Sequence, residues 1–351
     1  MIPFLTKCIV TLGIVVVFSS ISCNKDSISS AENISEFETR LDQLRNQSNI
    51  PGMIAGIEKN GQIIWTKSYG FENKESSKPV STSTIFHLAS LTKTFASIVV
   101  MQLVKENKIS LNDPVSKYGV NLNEQDTVRV IHLLTHTSEG VPGANYRYNG
   151  DRFALLSNVI QSSSGKSFHQ HATERIMQPL GLHNTAPSNM VLAAQDGFDT
   201  LQLRINTAQG YSSNGKDKVI YPPGVSAAAG FISNITDMLN YSMAYDGDQL
   251  LSDEQKAKVF SPMISTTGKT LPYGLGWFVQ EIEGVKINWH YGYWVGMSSL
   301  IIRVPEKKMC FVLMSNSDML SAPYPLGNGN LTVSPYAMEF LKSYVLPGSK
   351  L

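Results

Sequence analysis

Hairpin signals stand at both ends of this chain, and helical signals fill the stretch between them. Near the N-terminal end, the apolar runs 53–58 and 62–68 flank Lys59-Asn60-Gly61; Asn-Gly between two such runs favours a tight hairpin turn. Toward the C-terminal end, 276–281 and 285–290 flank Ile282-Glu283-Gly284, and 298–304 and 309–315 flank Pro305-Glu306-Lys307-Lys308. In between, helical periodicity predicts segments over 130–136, 151–161, 168–177, 234–245 and 252–260. Ser35-Glu36-Phe37-Glu38 is a capping box that predicts a helix to about Gln47, and Ser334-Pro335 opens a last one through Tyr344. The stretches 202–225 and 321–331, rich in Gly, Asn, Ser or Pro, read as loops, the second on the surface. Strands from both ends joined in one sheet imply α+β architecture: an antiparallel sheet flanked by helices, with a mainly helical lobe inserted. The mixed lobe takes 35–105 and 265–351, and the helical lobe about 106–264.

A chain of 351 residues suffices for such a two-lobed domain. Its net charge of +1 gives no basic surface for nucleic acid and no acidic tail. Lys7 precedes the apolar run Cys8–Ile21, and Ser20-Ile21-Ser22-Cys23 follows. That order describes a secretory signal over 1–22. A Cys directly after a small residue predicts lipidation of Cys23, a membrane anchor, and a polar tether over 23–34. The apolar run is shorter than the ~20 residues of a spanning helix. Export to the cell envelope follows from this reading. Once the leader is cut, the three cysteines leave no internal pair, and Cys310 reads as a small core residue.

The chemistry centres on Ser90-Leu91-Thr92-Lys93, at the head of an apolar run through Met101. Residues three apart share a helix face, so Ser90 Oγ and Lys93 Nζ can meet. An alcohol needs a base to become a nucleophile, and burial lowers a lysine's pKa until it can serve as one. Taken alone, the same pattern also describes an N-capping Ser followed by a surface Lys. Two further elements stand downstream. Tyr146-Arg147-Tyr148-Asn149-Gly150 offers a phenol that can relay protons, and Trp289-His290-Tyr291-Gly292 closes a strand. There His290 would be a cation at the mouth, and Gly292 would let a substrate come close to backbone N–H groups. His132 and His136 stand at i, i+4, but Leu133 occupies the place of a zinc-protease Glu, so no metal is expected.

In order and spacing these segments resemble the serine β-lactamase and penicillin-binding-protein superfamily, in particular its class C β-lactamase-like branch. The resemblance is carried by Phe86-His87-Leu88-Ala89-Ser90-Leu91-Thr92-Lys93, by His132-Leu133-Leu134-Thr135-His136-Thr137-Ser138, and by Tyr273-Gly274-Leu275-Gly276-Trp277 and His290-Tyr291-Gly292. It implies a β-lactamase/DD-peptidase-like fold and a serine hydrolase without cofactor. Ser90 would be acylated, Lys93 would be its base partner, Tyr148 the second-motif Tyr and His290 part of the third. The N–H groups of Ser90 and Tyr293 would hold the oxyanion. Gly150 stands where the family's Tyr-x-Asn has its amide, and Tyr291 where a Thr often holds a substrate carboxylate. The implied substrate is a peptidoglycan-type D-amino-acid peptide, a β-lactam or a small ester, and the expected state is a monomer. The alternative is a non-catalytic module that senses wall fragments or regulates a wall enzyme.

Overall fold

The computed structural model describes residues 1, 25–122 and 126–348; the leader and Cys23 lie outside them. The framework is a seven-stranded antiparallel sheet. Its strands, numbered in chain order, are β1 (Gly52–Lys59), β2 (Gln62–Asn73), β3 (Lys78–Pro79), β4 (Phe278–Ile282), β5 (Val285–Trp294), β6 (Met297–Val304) and β7 (Met309–Ser315). They lie in the order β3-β2-β1-β7-β6-β5-β4. The two ends of the chain meet where β1 pairs with β7, from Met53 opposite Ser315 to Lys59 opposite Met309.

Alternate residues of a strand face opposite sides. Here both sides are apolar because both are covered. Met53, Ala55, Ile57, Leu300, Ile302, Phe311 and Leu313 pack with Phe37 and Leu41 of helix α1 (Lys25–Gln47) and with Phe340 of the C-terminal helix (Pro335–Phe340). Ile54, Ile301, Val312 and Met314 face the other way. They join Phe95, Ile98 and Val99 of helix α2 (Thr92–Lys105) and Met238 and Leu239 of the helix Ile235–Met243. Helix α2 is buried on nearly every side between the sheet and the helical lobe. A helix so placed holds its first turn rigidly, and Ser90 and Lys93 sit at that turn.

Four sequence expectations change. The described part of helix α1 begins at Lys25, so the backbone of 25–34, expected as a polar tether, is helical, and Ser35 lies inside the helix rather than capping it, its carbonyl accepting from Thr39 Oγ1 at 2.8 Å. Strand β5 runs past Gly292 to Trp294, joined to β6 by a two-residue turn; the run Tyr291–Trp294 is aromatic and suits a strand. Helix Thr200–Asn206 reaches into the 202–225 stretch read as loop, and helix Met190–Gln195 stands where no element is expected, each opened by a capping side chain, Asp199 and Asn189. The 321–331 segment is not a surface loop throughout: Ser321, Leu326 and Leu331 are buried.

Candidate active site

The nucleophile segment is shaped by a short three-stranded sheet in which Phe86–His87 pairs with Phe231–Ser233. Leu88 N–H donates to Phe231 O at 2.9 Å. The chain then bends through Ala89, whose φ of +47° is left-handed. For a residue with a Cβ that costs about 1–2 kcal/mol. The bend is held from three sides: Leu88 O accepts from Leu91 N–H at 3.1 Å and from Ser299 Oγ at 2.8 Å, and Phe231 N–H donates to Thr92 Oγ1 at 3.2 Å. The first closing bond of the 3₁₀ turn Ala89–Leu91 starts from Leu91 N–H, so the turn does not consume the N–H of Ser90.

Ser90 is half-buried, whereas Lys93 is 1% exposed. Lys93 Nζ lies 2.7 Å from Ser90 Oγ and 3.0 Å from Ala228 O. It also sits 5.1 Å from the centre of the Tyr148 ring and 5.5 Å from that of Phe153. Both of its oxygen partners belong to neutral groups. Burial therefore lowers its pKa to about 7, against a small opposing pull from Asp151. A neutral amine has two N–H groups and one lone pair. One N–H satisfies Ala228 O, and the lone pair is free to take the Ser90 proton. The Ser90 hydroxyl is thus no helix cap; its proton acceptor lies one turn on.

Tyr148 precedes the helix Gly150–Ala154, which Asn149 opens by accepting from Arg152 N–H at 3.0 Å. Its hydroxyl is shut off from solvent and makes no complete hydrogen bond. Burial and then Tyr291 raise the phenol well above its ordinary pKa, and only nearby Ser90 opposes them. The hydroxyl therefore keeps its proton near neutrality, which makes Tyr148 a donor and leaves the base role to Lys93.

His290 is close to this group but is not a cation at the mouth. It is fully buried, with Nδ1 2.7 Å from Tyr291 O and Nε2 2.7 Å from the Tyr273 hydroxyl. A carbonyl can only accept, so Nδ1 carries the proton and Nε2 accepts from Tyr273. Burial, with Lys93 nearby, holds the imidazole well below its ordinary pKa, so it is neutral. Gly292 also departs from expectation. A Cβ there would lie 2.2 Å from Leu88 O and 2.2 Å from Ser299 Oγ. The missing side chain admits the nucleophile turn, not a substrate. Tyr293, the next residue, is 44% exposed at the rim, opposite Ser298.

Gly150 faces open space, with nothing within 4 Å of a Cβ built on it. The 321–331 segment forms a wall that sequence reading missed: Tyr146 Oη donates to Gly327 O at 2.9 Å, and a Cβ on Gly327 would lie 3.0 Å from Tyr291 Oη. Two further aromatic residues join the cluster unpredicted as site residues, Tyr273 and His136. Their rings lie 4.8 Å apart. Both stand inside quoted motifs, which was the available signal. His132 Nδ1 accepts from Arg129 N–H at 3.1 Å, while His136 serves a different loop, and among the described residues no group of three or more His, Cys, Asp or Glu gathers to hold a metal.

The geometry has relatives. A family model described as Beta-lactamase matches residues 37–328. Penicillin-binding protein 4* of Bacillus subtilis (strain 168) is 24% identical over 323 residues, covering 80% of this chain and 71% of that protein. Protein flp of Staphylococcus aureus (strain MW2) is 24% identical over 327 residues, covering 80% of this chain and 62% of the relative, so the chain spans less than two thirds of it. Among solved structures, the octameric penicillin-binding protein homologue from Pyrococcus abyssi shares the fold, with a TM-score of 0.72 at 24% identity over 88% of this chain and 77% of that one.

Proposed function

Since the chain belongs to the Beta-lactamase family, whose members are generally serine hydrolases, we propose that it forms an acyl-enzyme on Ser90 and hydrolyses an ester or amide. One observation carries the reading: a buried lysine with no charged partner in contact among the described residues, 2.7 Å from a half-buried serine hydroxyl. Burying an amine this way is expensive. A module that only bound wall fragments would gain nothing from it.

In the proposed cycle Ser90 Oγ attacks the carbonyl carbon while its proton passes to Lys93 Nζ. The N–H groups of Ser90 and Tyr293 receive the developing oxyanion. Collapse breaks the C–O or C–N bond, and the proton travels from Nζ through the Tyr148 hydroxyl to the leaving group. Water then attacks the acyl-enzyme, with the same pair taking its proton, and Ser90 is released. Neutral His290, fixed by Tyr273, braces the strand end from which Tyr293 projects.

Substrate class follows from what is missing. The side chain absent at Gly150 leaves room where a family amide would grip an acylamino arm, and Tyr291 offers a phenol in place of a Thr hydroxyl. A site lacking such donors loses selectivity for the groups they would hold. Small esters need neither grip, whereas D-amino-acid peptides and β-lactams carry both an acylamino arm and a carboxylate, so we rank small esters ahead of both. A panel of short-chain esters, D-Ala-D-Ala peptides, penicillins and cephalosporins tests this. Ester turnover that disappears in Ser90→Ala is expected; binding of wall peptides with no turnover of any member supports the sensing-module alternative. The same two departures motivate that alternative.

Lipidation of Cys23 and attachment to a membrane of the cell envelope complete the proposal. Among the described residues no helix is long and apolar enough to cross a membrane. Fractionation of cells expressing the full chain or Cys23→Ala tests the anchor: the native chain should sediment with membranes and the variant should not.

A further inference from the structure

We propose that His136 is a positioning residue that clamps the Tyr148 loop, and so holds the phenol over Ser90 and Lys93. The proposal rests on the acyl-enzyme reading above for its catalytic consequence. His136 follows the short helix Val130–Leu134 and takes a left-handed backbone, φ +54°. Bent there, it turns two acceptors toward one loop. Its carbonyl accepts Arg147 N–H at 2.9 Å, and its ring Nδ1 accepts Asn149 N–H at 3.1 Å. Arg147 and Asn149 flank Tyr148, so the phenol-bearing residue is pinned on both sides by a single neighbour. The imidazole also packs on the Tyr148 ring, centroids 4.4 Å apart, and on Phe153 at 5.3 Å.

The clamp needs a neutral imidazole. Nδ1 accepts, so the proton is on Nε2, which is buried and has no partner among the described residues. A second proton would set an N–H at Nδ1 against the N–H of Asn149. Burial, then Lys93 and His290 close by, holds the ring well below its ordinary pKa. The group is thereby kept in the only state that grips the loop. The residue is 2% exposed, so it acts on the chemistry through its neighbours, and of these Tyr148 is the one whose two flanking N–H groups it holds.

A buried histidine can also be simple core filling, in which case a ring of similar size would replace it. Two substitutions separate the readings. Asn tolerates left-handed backbone and supplies an acceptor oxygen. Phe fills the space but offers none, and leaves the Asn149 N–H unpaired. Amide hydrogen exchange at Arg147 and Asn149 and the rate of labelling by a fluorophosphonate would be measured on native protein, H136N and H136F, each with and without Y148F.

For H136F, exchange at Asn149 should rise and labelling fall by roughly tenfold or more. H136N should stay within about threefold of native on both. In the Y148F background, H136F should cost less than about twofold, because the group it positions is gone. Native-like labelling and exchange in H136F overturns the proposal, as does a loss that adds in full to that of Y148F, or an Asn variant no better than Phe. If H136F does not fold, H136G, which tolerates the backbone and lacks the acceptor, takes its place. Should native protein fail to label, the acyl-enzyme reading fails, and the exchange measurement still decides the clamp.

Discussion

Replacing Lys93 with Met should make the protein more stable and chemically inert. Lysine loses its charge near pH 10.4 when free, and in this protein near 7. Each pKa unit is worth 1.36 kcal/mol, so confining the ammonium costs at most about 5 kcal/mol at and below neutrality. Met is apolar, unbranched and similar in length, so it avoids this cost. Against the gain stand two lost hydrogen bonds, to Ser90 Oγ and Ala228 O. Ser90 is half-open to solvent, so chiefly the Ala228 carbonyl suffers, by about 1–3 kcal/mol. The net expectation at pH 7 is a stabilisation of about 2–4 kcal/mol. Its pH dependence has a defined sign. The folded-state pKa is depressed, so between about 7 and 10.5 the unfolded chain binds the extra proton and native stability climbs with pH. The advantage of Lys93→Met should therefore be largest at or below pH 7 and shrink toward pH 10. Urea unfolding midpoints of both proteins across this range, with a shared slope, measure it. A variant less stable than native at pH 7, or a difference flat from pH 7 to 10, refutes the claim that this lysine is held neutral by burial.

Three other outcomes follow from the same structure. Glu58 is buried, accepts a long bond from Ser242 Oγ at 3.4 Å, and has its pKa raised to about 7 by burial and then by Asp246. Its raised pKa removes stability as pH climbs from about 4.5 to 7, so Glu58→Gln should flatten that slope and be about 1–3 kcal/mol more stable than native at pH 8, read by thermal or urea unfolding. Gly292→Ala must push β5 away from the Leu88 carbonyl, 2.2 Å from the new Cβ; a loss of about 2–4 kcal/mol with slower acylation is expected, and unchanged melting with native activity contradicts the packing argument. Gly150→Asn meets open space, so stability should hold within about 0.5 kcal/mol. Penicillin acylation should speed up several-fold relative to esters, as measured by competition kinetics; an unchanged ratio dissociates the missing amide from substrate choice.

Much of the fold was legible because its signals are local. Asn60-Gly61 fixes one hairpin, Gly284 another, and the apolar runs 298–304 and 309–315 about Pro305–Lys308 mark a third. Ser90 and Lys93 were legible for the same reason, since three residues of helix bring them together. What escaped depends on contacts distant in sequence. The hydroxyl of Tyr273 meets His290 only because β5 folds back beside it, and this contact turns an expected surface cation into a buried neutral ring. Gly292 looked like space for a substrate because its true neighbour, Leu88 O, lies some two hundred residues earlier. For His136 the sequence shows an i, i+4 partner in His132 and no role; its left-handed backbone, which aims it at Asn149, has no sequence signature in a residue other than Gly or Asn. Asn189 and Asp199 are different: both are ordinary N-caps, and their helices could have been read from the sequence.

The most direct test of the proposed chemistry is intact-mass analysis after incubation with a fluorophosphonate and, separately, a labelled penicillin. Native protein should gain a single adduct from the fluorophosphonate, located on the peptide that contains Ser90, while Ser90→Ala gains none and Lys93→Met labels far more slowly. Native protein that stays unmodified while a control serine hydrolase labels in parallel, or an adduct that persists in Ser90→Ala, contradicts it.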